Sequence, residues 1–505
     1  MLRITSLLFN STAWVGITYS LIGGMPLCFF GATGPTLAFT RAIVAIANAV
    51  DVPFLTFNLW VSVWVVFYAT LAAFLDVTRF IKLATRFTDE IFGFIIVSIF
   101  LRDAIGDPFS ELGILRYFQP SLPFNVAMEK EPGFKYTESA LLSTVLGFGT
   151  AALIFFFRSF KFSPYFCGDQ SRSFLHDFAV PFSVAIATLI NQYLFSDIAT
   201  QRLNVPDHFE PTFKCCDATC NTYFPTDCPN QAAAFLPRSW FVKFGDLNGQ
   251  NWVIVMAAGP AVLAFALVFL DSGITWHWMN QKTHKLRHGD AYDYDLLLNG
   301  AFNFFNGMMG LPWLVASTVP CLTHLNALAE KDREGHFICV QETRLTMLFS
   351  NILLALSLLV LPVLQLLPMA VLYGIFLYMA STALSTIQFY KRFMMLFQQP
   401  NKYASSPWTG HIENWRVHMY TAIQFFLFGL VFFVQNFPPI TAGFPLMILL
   451  CIPVRLYILP RIYEGWELLL LDGEDEDIKA WQEKKEKVMK RMHALAITGR
   501  FEEIA

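Results

Sequence analysis

Gly23-Gly-Met-Pro-Leu-Cys-Phe-Phe-Gly-Ala-Thr-Gly-Pro-Thr-Leu37 contains too much glycine and proline to form one continuous lipid-facing helix. Pro35 suits the first turn of a new helix, and Thr33 is placed to cap the N-terminus of that helix. The stretch therefore predicts an extended strand followed by a half helix. The unpaired N–H groups and the positive dipole end of this half helix are expected near the middle of a membrane.

A second interruption of the same kind lies later in the chain, at Gly310-Leu-Pro-Trp-Leu-Val-Ala-Ser-Thr-Val-Pro320. Interrupted segments at corresponding places in two halves of a chain are typical of secondary transporters built from inverted repeats. Two facing half-helix N-termini form an anion site. The alternative is a pair of proline kinks within a channel or a scaffold bundle.

The composition requires a membrane around these segments. Of 505 residues, 55% are hydrophobic and 14% are charged, whereas about 25% are charged in a typical soluble domain. The net charge of −3 and the lack of a basic patch exclude nucleic acid as a partner. The sequence thus predicts an all-α polytopic protein of the lipid bilayer.

Apolar stretches long enough to cross about 30 Å of hydrocarbon recur along the chain, and we interpret them as helices because open strands cannot satisfy their backbone in lipid. They lie near 55 to 77, 87 to 105, 138 to 158, 176 to 197, 250 to 271, 293 to 311, 343 to 362, 366 to 386, 415 to 436 and 441 to 460, with a weaker span at 6 to 24. The stretches 33 to 47 and 313 to 329 are too short or too broken to cross alone.

The distribution of Lys and Arg predicts the orientation. The joining segments around residues 79 to 86, 158 to 172, 282 to 287, 331 to 344 and 391 to 416 are basic and are expected in the cytoplasm. The loops 104 to 137 and 198 to 250 are expected outside. Residues 1 to 460 then form the membrane domain, most simply in the plasma membrane. Residues 461 to 505 form a cytoplasmic C-terminal tail, with an acidic run and a charged helix to about Met492.

Four cysteines cluster in the outer loop 198 to 250, namely Cys215, Cys216, Cys220 and Cys228. An oxidising compartment favours one or two disulfides there. A zinc site is the alternative, although the cluster contains no histidine and the adjacent Cys pair suits tetrahedral ligation poorly.

A few ionisable residues fall in or next to the spans, where such groups are functional by default. Asp271 closes an apolar run and is followed by Ser272 and Thr275; Glu90 begins another span. An ordinary helix-end acid is the alternative for each of them. For His324 a packing or capping role ranks above a proton relay. No Walker loop, catalytic triad or HExxH motif occurs, so the sequence predicts neither ATP-driven transport nor an enzyme.

Several motifs, in order along nearly the whole chain, resemble the bicarbonate transporter family of anion exchangers, sodium-coupled bicarbonate cotransporters and borate transporters. They are Thr33-Gly-Pro35, Arg86-Phe-Thr-Asp-Glu-Ile-Phe92, Phe269-Leu-Asp-Ser-Gly-Ile-Thr275, Leu311-Pro-Trp-Leu-Val-Ala-Ser-Thr-Val319, Thr323-His-Leu-Asn-Ala-Leu328, Leu372-Tyr-Gly-Ile-Phe-Leu-Tyr-Met379 and Trp415-Arg-Val-His418. The resemblance implies fourteen segments in two inverted seven-segment repeats, core and gate domains, and a homodimer. It also implies a substrate site between the two broken helices, with the eighth segment beside them.

Two departures from the family pattern are informative. By this resemblance the sequence starts at the family's second segment, so the first segment is expected to be missing from it. Pro320 stands where anion exchangers of the family carry an arginine, and Asp271 stands where they tend to carry glutamate. Sodium-coupled and borate relatives resemble this chain in having aspartate at the position of Asp271.

These features lead to the hypothesis of Na⁺-coupled bicarbonate or carbonate transport, with Na⁺ as the coupling ion and no other cofactor. An acid beside an anion repels it unless a cation also binds. Asp271 and Thr275, with Glu90, are the candidate cation residues. The candidate anion residues are Thr33, Gly34, Pro35, Ser317 and Thr318. The alternatives are a Na⁺-independent chloride/bicarbonate exchanger and a borate transporter.

Overall fold

The computed structural model describes residues 4–83, 85–106, 113–128, 134–163, 168–203, 212–214, 235–237, 240–331, 337–404, 406–437, 444–473 and 475–498. The chain groups into two compact units. The first unit contains Met1–Asn10, Phe92–Phe213 and Leu353–Lys391, and the second contains Ser11–Ile91, Lys214–Ile352 and Arg392–Ala505.

Helices dominate the described residues, as the composition predicts. In chain order they are α1 Ile4–Ile22, α2 Gly34–Ala49, α3 Phe54–Phe74, α4 Arg86–Ile105, α5 Pro123–Met128, α6 Tyr136–Ser159, α7 Asp169–Asp177, α8 Ala179–Tyr193, α9 Val253–Met256, α10 Ala258–Met279, α11 Tyr292–Met309, α12 Thr318–Ala327, α13 Arg344–Ser357, α14 Leu361–Leu364, α15 Met369–Thr386, α16 Gln388–Met395, α17 Asn414–Asn436, α18 Phe444–Pro453, α19 Leu459–Ile462, α20 Gly465–Asp472 and α21 Asp475–Thr498. The strands are short: β1 Phe30–Gly31, β2 Thr212–Lys214, β3 Phe235–Pro237, β4 Val315–Ala316, β5 Ala329–Lys331 and β6 Phe337–Val340.

Helices that are long and apolar enough to cross a membrane coincide with predicted spans. Among the described residues, five meet that criterion: Phe54–Phe74, Tyr136–Ser159, Val253–Met279, Arg344–Leu364 and Asn414–Asn436. Two bent pairs raise the number to seven. These pairs are α7 with α8, bent by 65°, and Met369–Ser385 with α16, bent by 76°. A polytopic helical fold is therefore confirmed, while the inverted repeats and the core and gate domains stay predictions.

The predicted end of one span is wrong, and the difference involves Asp271. The helix that was expected to stop at residue 271 continues to Met279, so Asp271 lies inside the span rather than at its end. The residues that follow it, including Ser272 and Thr275, are buried. Their side chains form hydrogen bonds within the protein. The helix therefore continues where the sequence predicts the end of the membrane span.

Both interrupted segments fold as predicted, as a strand followed by a half helix. In the second unit β1 pairs antiparallel with β4, which places Phe30 opposite Ala316 and Gly31 opposite Val315. The Ser317 N–H extends this ladder by donating to Phe29 O over 2.8 Å. The two half helices α2 and α12 therefore begin directly after one shared pair of strands.

The second unit is built around α10, which contacts α2, α3, α11, α12 and β4. Helices α3 and α11 approach each other closely at two glycines of α11. A methyl group on Gly300 would lie 2.8 Å from Ala69 Cβ, and one on Gly307 would lie 2.9 Å from Ser62 Cβ. Since both spaces are already filled by α3, glycine at these positions sets the distance between the two helices.

We therefore expect Gly300→Ala to destabilise the protein by about 1–3 kcal/mol, the usual cost of overpacking a close contact. Gly429→Ala in α17 is the matched control, because a methyl group there meets no atom within 4 Å. That control should be neutral, or more stable by up to about 1 kcal/mol, because alanine favours a helix. Thermal unfolding of both purified variants in one detergent measures the difference, and equal stability would contradict the close packing.

The first unit packs α6 against α8 and α15. Its buried apolar clusters combine residues of the three helices: Leu142 and Leu146 of α6 meet Ala187 of α8 and Val371 of α15. None of the candidate site residues named from the sequence belongs to this unit.

The segment after residue 460 is partly buried, because α20 packs two of its acidic residues inside the protein. Glu467 and Asp472 of α20 are buried. Glu467 pairs with Arg416 over 2.6 Å, and Asp472 pairs with Arg455 and accepts the Phe87 N–H. The charged helix predicted after this point is α21. The four clustered cysteines, Cys215, Cys216, Cys220 and Cys228, lie outside the described residues.

Candidate ion site at the broken helices

The carboxylate of Asp271 lies at the N-terminus of the first half helix. Asp271 is 3% exposed on α10, and its Oδ2 accepts a hydrogen bond from Thr33 Oγ1 over 2.8 Å. Thr33 is the N-cap of α2, with extended backbone angles of φ −106° and ψ 164°. A buried acid and a half-helix N-terminus, which the hypothesis from the sequence assigns to one ion site, are thus joined by one hydrogen bond.

Thr36 forms a capping box with Thr33 at the start of α2. The Thr36 hydroxyl accepts the Thr33 N–H over 2.9 Å and donates to Thr33 O over 2.7 Å. Such a reciprocal arrangement satisfies the backbone at the start of the helix. Pro35 occupies the first turn, as its fixed φ angle predicts.

Thr275, one turn after Asp271, contacts the second half helix. Its Oγ1 lies 2.7 Å from Thr318 Oγ1, 2.9 Å from Asp271 O and 3.2 Å from Ala316 O. Thr318 is the first residue of α12, and Ser317 is its N-cap. Through Asp271 and Thr275, therefore, α10 binds the starts of both half helices.

Residues that the sequence reasoning missed hold the strand before α12. Ser272 Oγ accepts the Ala316 N–H over 3.1 Å and the Asn299 amide over 2.7 Å. The Asn303 side chain bonds both backbone groups of Leu314, each over 2.8 Å. Asn299 and Asn303 are fully buried. The signal that could have identified them is a repeated asparagine on one face of an apolar helix, because polar groups at that depth are seldom incidental.

The start of α2 faces unfilled space. Gly34 is exposed, and a methyl group on it would meet no atom within 4 Å. The first N–H groups of a helix lack intrahelical partners. Pro35 and Pro320 carry no N–H, so the first-turn donors include those of Gly34 on α2 and of Thr318 and Val319 on α12.

Glu90, the third candidate cation residue, makes its hydrogen bonds elsewhere. Its Oε2 accepts from Arg392 Nη2 and, over 3.3 Å, from the Gln424 amide. Arg392 is 0% exposed, and its guanidinium lies 5.2 Å from the ring centres of both Trp408 and Tyr420. Glu90 is thus a member of a buried ion pair, and its bonds do not join it to Thr33, Asp271 or Thr275.

His324 packs beside the strand pair. Its Nδ1 lies 3.3 Å from Leu27 O and its Nε2 lies 2.8 Å from Thr346 Oγ1. The ring meets Phe29 edge to face, with centroids 5.0 Å apart. These contacts agree with the packing role that ranked first for this residue.

Two half helices that start from one strand pair, with a buried acid bonded at the start of one of them, are typical of polytopic membrane transport proteins. The comparison with known families gives the same class. The model of the HCO3⁻ transporter integral membrane domain matches residues 2–129 and 119–476. The chain therefore belongs to the HCO3⁻ transporter family, whose members are transporters and not enzymes.

Individual relatives agree with this assignment. Anion exchange protein 3 of Mus musculus is 32% identical over 493 residues, which cover 93% of this chain and 38% of the relative. Band 3 anion transport protein of Homo sapiens is 32% identical over 481 residues, which cover 93% of this chain and 50% of the relative. The chain thus spans half or less of the length of these relatives. A solved structure, the transmembrane domain of the cyanobacterium bicarbonate transporter BicA, aligns with a TM-score of 0.48 at 15% identity, covering 85% of this chain and 93% of that one.

Proposed function

We propose that this protein is a secondary active transporter that moves bicarbonate or carbonate together with Na⁺ by alternating access. The observation that carries the proposal is the bond between Asp271 and Thr33 at the start of α2, next to the contact of Thr275 with Thr318 at the start of α12. The negative side chain of Asp271 thus lies at one half-helix N-terminus, and Thr275, one turn further along α10, contacts the other. Both N-termini carry partial positive charge.

The charges at the site favour a cation together with the anion. Within the described parts of the chain, no Lys or Arg forms an ion pair with Asp271. An anion that binds at the start of α2 is repelled by that carboxylate, and the repulsion is strong where water is scarce. Bound Na⁺ cancels this charge, so the anion and the cation bind together more readily than either ion alone.

Oxygen atoms suited to Na⁺ lie at Asp271 and at Thr275, one turn further along α10. They are the carboxylate of Asp271, the hydroxyls of Thr33, Thr275 and Thr318, and Ala316 O. Transporters with broken helices use such unwound carbonyls and side-chain oxygens for the coupling cation. The anion is proposed to bind the half-helix N-termini, at Thr33, Gly34 and Pro35 on one side and at Ser317 and Thr318 on the other.

A second candidate function is Na⁺-independent exchange of chloride for bicarbonate. The names of the relatives, an anion exchange protein and an anion transport protein, favour this alternative. It differs from the first proposal in its ion requirement, because exchange needs an anion on the opposite side and no Na⁺.

Purified protein in proteoliposomes distinguishes the two functions. We expect bicarbonate-driven changes of internal pH to require external Na⁺ and to stop when choline replaces it, because the carboxylate of Asp271 then lacks its counter-ion. Replacement of chloride by gluconate should leave the rate unchanged. Transport that depends on chloride and not on Na⁺ would instead establish exchange, and a response only to borate would overturn both.

The location, the orientation and the oligomeric state of the protein are also proposals. A plasma-membrane location, a cytoplasmic C-terminus and a homodimer are proposed from the distribution of Lys and Arg and from the family.

A further inference from the structure

Two buried cysteines face each other where the broken helices meet. Cys28, just before β1, is 1% exposed, and Cys321, in the first turns of α12, is 0% exposed. Their Sγ atoms lie 3.5 Å apart. Nothing in the proposed transport cycle uses these thiols, and among the described cysteines Cys339 and Cys451 have no second thiol beside them.

The thiol pair is connected to the candidate anion site by backbone contacts. The Phe29 N–H donates to Cys321 Sγ over 3.0 Å. The Ser317 N–H donates to Phe29 O over 2.8 Å, and Ser317 O accepts the Cys321 N–H over 3.1 Å. A displacement of Cys321 relative to Cys28 therefore moves Ser317, the N-cap of the second half helix.

The burial of the pair requires a small oxidant. Cys28 and Cys321 are buried, whereas Gly31 and Thr33 on the adjoining segment are half-buried and Gly34 is exposed. Hydrogen peroxide is little larger than water. Bulky thiol reagents, by contrast, are excluded by the burial of both sulfur atoms.

We propose that Cys28 and Cys321 form a redox-sensitive dithiol that closes to a disulfide and thereby inactivates the ion site. A hydroperoxide is the oxidant: the two S–H bonds and the O–O bond break, one S–S bond forms, and hydrogen peroxide leaves as two molecules of water. A disulfide has an S–S length of about 2.05 Å, so the sulfur atoms must move closer by roughly 1.5 Å from their present 3.5 Å. This movement draws the first turn of α12 toward Phe29 and alters the position of Ser317. The effect on transport rests on the proposed function, whereas formation of the disulfide does not.

Peptide mass spectrometry of the full-length chain in lipid vesicles tests disulfide formation directly. After treatment with hydrogen peroxide we expect a cross-linked peptide that contains Cys28 and Cys321, lighter than the two thiol peptides by two hydrogen atoms. A dithiol reductant should remove it. Cys451→Ser, which replaces a buried cysteine with no thiol neighbour, is the matched control and should retain the cross-link.

Transport measurements test the consequence. Peroxide should abolish transport by the wild-type protein and by Cys451→Ser, and the reductant should restore it. Transport by Cys28→Ser and by Cys321→Ser should resist peroxide. If either variant fails to fold, the mass spectrometry of the wild-type protein still tests disulfide formation. If Cys28 and Cys321 stay reduced while the half-buried Cys339 is oxidised, the proposal is wrong. It is also wrong if the cross-link forms and transport continues. The Na⁺ requirement of transport is measured on the reduced protein. A failure of the proposed transport function is therefore distinguished from a failure of the disulfide proposal.

Discussion

Asp271→Asn is expected to weaken the Na⁺ dependence of transport while the protein stays folded. The asparagine side chain has nearly the same shape and can still accept the hydrogen bond that Thr33 Oγ1 donates over 2.8 Å, but it carries no charge. A charge-assisted contact contributes about 1.5–3 kcal/mol, so the apparent affinity for Na⁺ should fall by roughly ten- to a hundredfold. Initial rates of bicarbonate transport in proteoliposomes, measured against Na⁺ concentration, give this value.

Asp103→Asn is the matched control for the loss of an acid from a helix of the same protein. Asp103 is half-buried near the end of α4 and pairs with the adjacent Arg102 over 3.0 Å. This variant should keep the Na⁺ dependence of the wild type. Unchanged Na⁺ dependence in Asp271→Asn would show that the cation site is wrongly assigned, and an equal loss in both variants would point to a general effect of charge.

Arg392→Met is expected to destabilise the protein by about 3–5 kcal/mol, the cost of breaking a buried ion pair by removing one partner. The guanidinium donates to Glu90, to Gln424 over 2.9 Å and to Leu471 O over 3.4 Å, and it is fully buried. Its removal leaves the buried carboxylate of Glu90 without its ion-pair partner. Thermal and denaturant unfolding in detergent measure the change.

A double-mutant cycle separates the ion pair from the other contacts of Arg392. We expect Arg392→Met with Glu90→Gln to be more stable than the sum of the two single changes, because neither charge is then left alone. Additive effects would contradict the pairing. The same Glu90→Gln protein decides the role of Glu90 in coupling: if it keeps its Na⁺ dependence, Glu90 is a structural residue and leaves the set of candidate cation residues.

The elements that could be predicted from the sequence depend on local signals. Glycine and proline at fixed spacing determine where each strand ends and each half helix begins, and Thr33 and Pro35 specify the start of α2 without help from the rest of the chain. Asp271 was found because an acid within an apolar run is rare and costly. These parts required only neighbouring residues.

The parts that could not be predicted depend on partners far along the chain. Ser272 and Thr275 have the composition of a helix end, and only their bonds to Ala316 reveal that the helix continues. Glu90 has the position of an ordinary first-turn acid, and its partner Arg392 lies 302 residues away. Hydrophobic periodicity carries no information about such distant pairs.

The pairing of β1 with β4 has a consequence for biosynthesis. Phe29 and its partner Cys321 are separated by 292 residues, so a ribosome must synthesise all of these residues before the first broken segment can find its strand. Until then the backbone of that segment must be shielded by the insertion machinery or by neighbouring helices, because lipid offers it no hydrogen bonds. Assembly of the ion site is therefore a late event with a large loop-closure cost. Nascent chains that end before β4 should expose the first broken segment to membrane quality control.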